Sequence, residues 1–424
     1  MTGLLIVVGV VILVLAGIPL FAALGILAVL QFLRTGIDPT VVIVELYRVA
    51  SAPTLLAIPL FTLTGFILAE SNAPKRLFKL ADAIFGWMPG GVAIVSLIVC
   101  AFFTCFTGAS GITIIALGGL IYPILREQRY SEKFSMGLIT CSGSLGLLFP
   151  PSLPLILYGI VGSVQIDQLF LAGIIPGIIL IIILSLYAAR RSQIKTADRT
   201  RLSIRGIWAA IKDAKWEIPI PILILGGIYG GIITAVEASA VTAFYVLIIE
   251  FFVTKDLKLK KDMAPVLRDT VQLIGGIIII LCAAMGMTAY LIDAQIPQAL
   301  LIWIKGLFAS KIVFLLVLNL FLLVTGAMLD IFSAIIVVVP LIVPIATSYG
   351  VDPVHLGIIF LANLEIGYLT PPIGLNLFIA SYRFKKPILY LYKTSLPFLL
   401  LLLIGLALIT YIPDLSLFLV RLFP

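Results

Sequence analysis

The chain has 424 residues, 62% of them hydrophobic and only 11% charged, which is more apolar surface than a soluble core of this size needs. The net charge of +8 admits nucleic acid or anionic lipid as partners. The Lys and Arg residues, however, gather just outside apolar runs, eight in 190–215 and five in 255–268, where loop charges orient membrane proteins and meet lipid heads; nucleic acid is set aside.

A span needs about 20 apolar residues to cross a hydrocarbon core of roughly 30 Å, so the chain is expected to be an all-α polytopic membrane protein. The first element, 1–34, reads as a tight hairpin of two short spans. No Lys or Arg precedes its apolar run, so it is expected to be retained rather than cleaved as a signal peptide. A third span follows at 54–70, then an amphipathic stretch at 74–87. The segment 91–125 differs from these. Its first arm, GVAIVSLIVCAFFTCF (91–106), makes about 24 Å of helix and then meets Thr107, Gly108, Ala109, Ser110 and Gly111 before ITIIALGGLIYPIL resumes. Neither arm spans comfortably alone, and charges flank both ends, so the segment reads as a re-entrant helical hairpin with its tip near the bilayer centre. The next span, 134–162, is interrupted by CSGSLGLLFPPSLP (141–154), and a last span, 168–188, closes this half.

After the basic segment the order recurs: paired short spans (218–254), a third span (270–291), an amphipathic stretch (297–308), and a re-entrant segment (311–346) with TGAMLD (325–330) at its tip. A span broken by NLEIGYLTPPIGLN (363–376) follows at 355–381, and a last span at 394–415. Cys100, Cys105, Cys141 and Cys282 lie singly in apolar stretches without metal-ligand spacing, so they read as small buried hydrophobes.

Three punctuated matches relate the halves. ESNAP (70–74) answers DAQIP (293–297), FTGASG (106–111) answers VTGAML (324–329), and LLFPPSLP (147–154) answers YLTPPIGL (368–375), in the same order and offset by 218–223 residues. The expected organisation is a first repeat at 1–189, a basic cytoplasmic linker at 190–216 and a second repeat at 217–424. If the two re-entrant segments do not cross, each half crosses five times, and an odd number inverts the second repeat. Placing both termini outside puts 23 of the 28 Lys and Arg on the cytoplasmic side, leaving Arg34, Arg48, Lys305, Lys311 and Arg421 opposite; this split favours that orientation over its mirror image.

Non-helical backbone at membrane depth must be buried in protein or line a wet cavity. Residues before proline leave helical geometry, and Gly-Ser frees carbonyls from their usual partners. Broken helix ends expose N–H groups that attract anions, while freed carbonyls coordinate small cations. One break would read as a packing kink. Four breaks, paired by an inverted repeat, read as a binding site for an anion and Na⁺. The sole histidine, His355, falls at a loop edge and reads as a surface or helix-start residue. Without a second histidine or a Cys/His cluster, metal or Ser/His catalysis lacks its groups, so no enzyme activity is expected. Paired hairpins also imply alternating access rather than a continuous channel.

The stretches FTGASGITIIALGGLIYPIL (106–125), SGSLGLLFPPSLPLILYG (142–159), GGIITAVEASAV (230–241) and GYLTPPIGLNLF (367–378) resemble the large membrane subunit of TRAP transporters, the tripartite ATP-independent periplasmic carriers of the ion-transporter superfamily. The resemblance runs over essentially the whole chain. It implies a secondary transporter of the bacterial inner membrane that works by an elevator movement, with Na⁺ as coupling ion and no cofactor. Its substrate would be a small organic anion, a carboxylate or sulfonate. Its partners would be a small four-helix membrane subunit and a periplasmic substrate-binding protein.

Carried over by motif, the resemblance implies a first Na⁺ region of Thr107, Gly108, Ser110, Ser142, Gly143 and Ser144. It implies a second of Thr325, Gly326, Asp330, Asn363, Glu365, Gly367 and Thr370. Ser110, Ser144, Pro150, Pro151, Pro371, Pro372 and Asn376 would face the substrate. Glu365, as an intramembrane acid, is either functional or paired with a neighbouring hydroxyl. The nearest rival is a divalent-anion/Na⁺ symporter acting without a binding protein, which shares the hairpin architecture. Sialic acid, C4-dicarboxylates, other organic acids and sulfonates all suit an anion site built from backbone.

Overall fold

Long apolar runs leave backbone N–H and C=O groups without solvent partners, and helix is the local form in which they satisfy one another. The computed structural model describes residues 17–192, 203–308 and 310–423, and every regular element among them is helical. The opening part of the expected first hairpin (1–16) and the middle of the basic segment (193–202) lie outside the described residues.

In chain order the first half supplies α1 (Leu20–Thr35), α2 (Thr40–Ala50), α3 (Pro53–Glu70), α4 (Ala73–Phe85), α5 (Gly91–Thr107), α6 (Ser110–Glu127), α7 (Glu132–Ser142), α8 (Leu153–Gly162) and α9 (Ile166–Arg191). Then come α10 (Ile204–Asp213), α11 (Pro219–Tyr229), α12 (Ala235–Val253), α13 (Leu259–Asp293), α14 (Ile296–Leu307), α15 (Lys311–Met328), α16 (Ile331–Ser348), α17 (Pro353–Gly367), α18 (Leu375–Phe384), α19 (Ile388–Tyr411) and α20 (Asp414–Leu422). Their starts follow capping chemistry. Ser131 and Asp352 accept hydrogen bonds from the first turns of α7 and α17, and Thr234 with Glu237 forms a reciprocal capping box at α12.

Several expectations need correction. The stretch between the first hairpin and the third span, to which the sequence pattern assigns no element, forms α2, because nothing between Thr40 and Ala50 interrupts a helix and the Asp38 carboxylate takes the Thr40 N–H at 2.9 Å. The third span of the second half begins well before 270. It extends back to Leu259 through LKKDMAPVLRD, with the Lys258 N–H bonded to Asp262. The basic linker contains α10, which packs on α4, and α20 follows the last span. Length does not by itself mark the hairpins as re-entrant. Among the described residues eight helices are long and apolar enough to cross a membrane, and α6, α15 and α16, at 18 residues each, are among them. The bent pair α7–α8 turns by 44° and brings the count to nine.

Two packing groups emerge. α1, α2 and α3 lie along α13, and α12 packs on α3. In the other group the hairpins and broken helices cross-pair. The second arm of the first hairpin, α6, packs on α18 from the second half, and the second arm of the second hairpin, α16, packs on α8 from the first. α15 packs along α17, and α5 on the 3₁₀ turn Leu145–Leu148. All four cysteines are buried and free, as their apolar settings predict.

An ion cluster ties α4 to the α11–α12 hairpin. Arg76 donates to Glu217 and Asp256 at 2.5 Å and to Glu250 at 3.1 and 3.3 Å. Asp256 also takes the Asn72 N–H at 3.0 Å. Burial works against the Arg76 charge, but the carboxylates prevail and hold the guanidinium protonated more firmly than in free arginine. Burial likewise pushes Asp256 up, yet its hydrogen bonds from Arg76 and Asn72 prevail and keep the carboxyl below the usual range.

Candidate functional site

The four helix breaks gather in two pairs. In the first, α5 ends at Thr107, Gly108 adopts a left-handed φ of 62°, and α6 starts at Ser110. α7 ends at Ser142, next to Gly143 and Ser144. A Cβ on Gly143 would lie 2.5 Å from Ile114 Cγ1 and 3.2 Å from the Ser110 carbonyl, so only glycine lets the broken helix approach the hairpin this closely. The Gly143 carbonyl is freed from its helix but not left bare, because Thr104 Oγ donates to it at 2.8 Å; Thr104 also meets Thr113 Oγ at 2.7 Å. Ser142 Oγ turns back to the Ile139 carbonyl, and Thr107 Oγ to that of Ala109 at 3.5 Å.

In the second pair the hairpin break falls in the last two residues of the TGAMLD motif. α15 stays helical through Met328, leaving Thr325 and Gly326 in its last turn, and the break falls at Leu329 and Asp330. The Asp330 carboxylate accepts the N–H groups of Phe332 and Ser333 at 3.0 Å and so caps α16. A Cβ on Gly367 would lie 2.7 Å from the main chain of Gly326, and one on Gly326 2.8 Å from Leu364 Cα. Tyr368 Oη accepts the Ile331 N–H at 2.6 Å, and the Gly374 N–H reaches the Ala327 carbonyl at 3.1 Å. The hairpin tip and the broken helix are thus joined by main chain. Thr370 Oγ caps the end of α17 through the Gly367 carbonyl.

Two contacts unite the pairs. Ser110 Oγ donates to Asn376 Oδ1 at 2.6 Å, and Asn376 Nδ2 reaches the Thr140 carbonyl at 3.3 Å. Ser144 Oγ lies 3.5 Å from the carbonyl of Glu365. Asn363 sits inside α17 rather than at its break, and its amide nitrogen bonds Asn319 Oδ1 at 2.7 Å and the Ile359 carbonyl. Glu365 is fully buried, and among the described residues neither of its carboxylate oxygens has a hydrogen-bond partner.

The prolines divide. Pro150 borders an apolar cavity shared with Phe106, Ile174 and Pro221, Pro151 is buried, and Pro371 and Pro372 are exposed. The Pro372 carbonyl accepts from Tyr392 Oη at 2.9 Å. His355 is a helix-start residue but not a surface one. It lies in the first turn of α17, only 2% exposed, with Nε2 3.3 Å from the Thr410 carbonyl.

Sequence reasoning missed Thr104, Asn319 and Tyr368. Thr104 stands one helical turn before Thr107, and Asn319 interrupts an otherwise apolar α15. Those were the available signals. Tyr368 reaches its partner only through the fold.

Oxygen ligands suit a hard cation such as Na⁺. The second pair fits this best, because the Glu365 carboxylate and Asn363 Oδ1 are buried without partners among the described residues. The first pair offers hydroxyls and carbonyls already sharing hydrogen bonds, each oxygen retaining a second lone pair.

Comparison with known proteins identifies the family. The family model described as the DctM component of the tripartite ATP-independent periplasmic transporter matches residues 7–415. The C4-dicarboxylate TRAP transporter large permease of Pseudomonas aeruginosa is 35% identical over 376 residues, 88% of each chain. The sialic acid TRAP transporter large permease of Vibrio cholerae is 33% identical, over 87% of each. Among solved structures the YdaH transporter of Alcanivorax borkumensis superposes with a TM-score of 0.54 at 16% identity over 86% of each chain, a likeness of fold. These relatives are transport permeases rather than enzymes, and the family match sets aside the symporter reading. On a match that spans nearly the whole sequence, the chain is a multi-pass membrane protein belonging to the DctM family of large TRAP transporter subunits.

Proposed function

We propose that this subunit carries a small organic anion, a carboxylate or sulfonate, inward with Na⁺ across the bacterial inner membrane. The observation that supports it most directly is the Ser110–Asn376 hydrogen bond, where the tip of one hairpin meets the broken helix of the other half. The substrate would sit at this junction, among Ser110, Ser144 and Asn376, held by helix ends and hydroxyls. The two Na⁺ regions would flank it, the first between the α5–α6 tip and Ser142–Ser144, the second among Thr325, Gly326, Asn363, Glu365, Gly367 and Thr370. In this reading Asp330 acts from a distance by fixing the start of α16. Repeats 1–189 and 217–424 are inverted, and the cross-paired hairpins and broken helices travel as one body against α1–α3 and α11–α13, an elevator movement. A small membrane subunit and a periplasmic binding protein complete the carrier.

The test is uptake in proteoliposomes holding the chain, its small partner and candidate binding proteins added one at a time. Uptake is expected with one binding protein and with external Na⁺, and is expected to vanish when K⁺ replaces Na⁺ at an unchanged membrane potential. Undiminished uptake in K⁺ refutes the coupling ion, and uptake without any binding protein restores the rival symporter.

Orientation is checked separately. With 23 of 28 basic residues assigned to one side, both termini face the periplasm in this reading. A C-terminal alkaline phosphatase fusion is expected to be active and a C-terminal fluorescent-protein fusion dark; the reverse pattern overturns the crossing count.

A further inference from the structure

The two amphipathic connectors, α4 and α14, have unequal surroundings. α4 is covered by α10 and fastened by Arg76. α14 packs on α16 and the end of α13, and its outer side is bare: Ile302 is 75% exposed and Trp303 63%. Between α14 and the second hairpin lies an open groove of about 400 Å³, lined entirely by apolar side chains, among them Leu300, Trp303, Ile304, Phe314, Phe321 and Ile342.

Two lysines stand near its rim, and Lys311 is engaged, donating from Nζ to the Gly350 carbonyl at 2.6 Å. Lys305 Nζ lies 5.9 Å above the Tyr349 ring, Tyr349 stacks on Phe314 at 4.2 Å, and Phe314 forms part of the groove wall. Among the described residues no carboxylate pairs with Lys305. An ammonium at the mouth of a wholly apolar groove, with an exposed tryptophan beside it, matches the chemistry of a phospholipid: chain in the groove, phosphate on the lysine, indole at the interface.

We propose that this groove is a binding site for an anionic phospholipid, one acyl chain lying between α14 and the second hairpin and the headgroup phosphate on Lys305. A transmembrane helix, which satisfies its own backbone hydrogen bonds, is the less suitable occupant because its apolar side chains would leave the Lys305 ammonium without an anionic partner. A lipid lodged there fills the space between α14 and the hairpin that α14 leads into.

The chain has four tryptophans, so Trp87→Phe, Trp208→Phe and Trp216→Phe leave Trp303 as the sole reporter. This full-length protein is placed in phosphatidylethanolamine vesicles containing phosphatidylglycerol or phosphatidylcholine with brominated chains, and quenching of Trp303 is measured against mole fraction. Phosphatidylglycerol is expected to reach half-maximal quenching at about fivefold lower mole fraction, the preference that one lysine confers. Lys305→Gln is expected to abolish the preference while leaving quenching by either lipid. Equal quenching by both lipids with Lys305 intact means ordinary annular lipid and overturns the proposal. Absence of quenching by either means that protein covers the groove, and overturns it as well.

Discussion

Gly367→Val is expected to abolish uptake in proteoliposomes, and Gly367→Ala to reduce it severely, whereas Gly275→Ala leaves uptake intact. At Gly367 the first side-chain carbon would stand 2.7 Å from the main chain of Gly326. Overpacking against side chains that can rotate costs about 1–3 kcal/mol. Backbone cannot rotate away, so here the hairpin tip itself must retreat from α17. Valine adds two branches that stiffen the site further. Gly275 lies within α13 with no neighbour inside 4 Å of where an alanine methyl would stand, and alanine there favours helix by up to about 1 kcal/mol. Uptake per unit of inserted protein is the measurement. Normal uptake by the Gly367 variants would separate the tip–helix contact from the transport site.

Arg76→Gln is the second large effect, and it is read in stability. The change leaves Glu217, Glu250 and Asp256 facing one another without their cation, the first two only 1% exposed. Removing one partner of a buried ion cluster costs about 3–5 kcal/mol, visible as a lower unfolding temperature of the purified protein. Adding Glu250→Gln is expected to restore part of the loss by removing one repelling charge. Acid narrows the gap from both sides. The lowered carboxyl of Asp256 gives the unsubstituted protein stability that is fully present above the ordinary carboxylate range and lost as pH falls through the depressed value. In the variant the same protonation relieves repulsion. Equal unfolding temperatures at neutral pH would mean that the cluster is solvated rather than structural.

Much of this architecture is legible in one sequence because its signals are local. Apolar run length marks α9 and α19, and the Gly/Ser tip and the Pro-Pro pairs mark three of the four breaks. TGAMLD marks the fourth, with the break in its last two residues: helix persists to Met328 because Asp330, not Thr325 or Gly326, begins the new cap. α2 was missed because its 11 residues are short for a span and carry no break signal. The site was legible as a set of segments, not as contacts. Asn363 stands next to a break in sequence, but helical periodicity turns its amide toward Asn319. Thr104 is one of several threonines in apolar helices, and only the fold puts it beneath the Gly143 carbonyl.

The Ser110–Asn376 hydrogen bond joins residues 266 positions apart, and α6 and α8 likewise find their packing partners in α18 and α16. This sets an order of biosynthesis. When the first hairpin leaves the ribosome, the helix it will rest on is still more than two hundred codons away. The hairpin must wait in the membrane with its polar tip unsatisfied, and loop closure over so long a separation is slow. The first half made alone is therefore an unfinished object, exposed to quality-control proteases until the last quarter of the chain arrives.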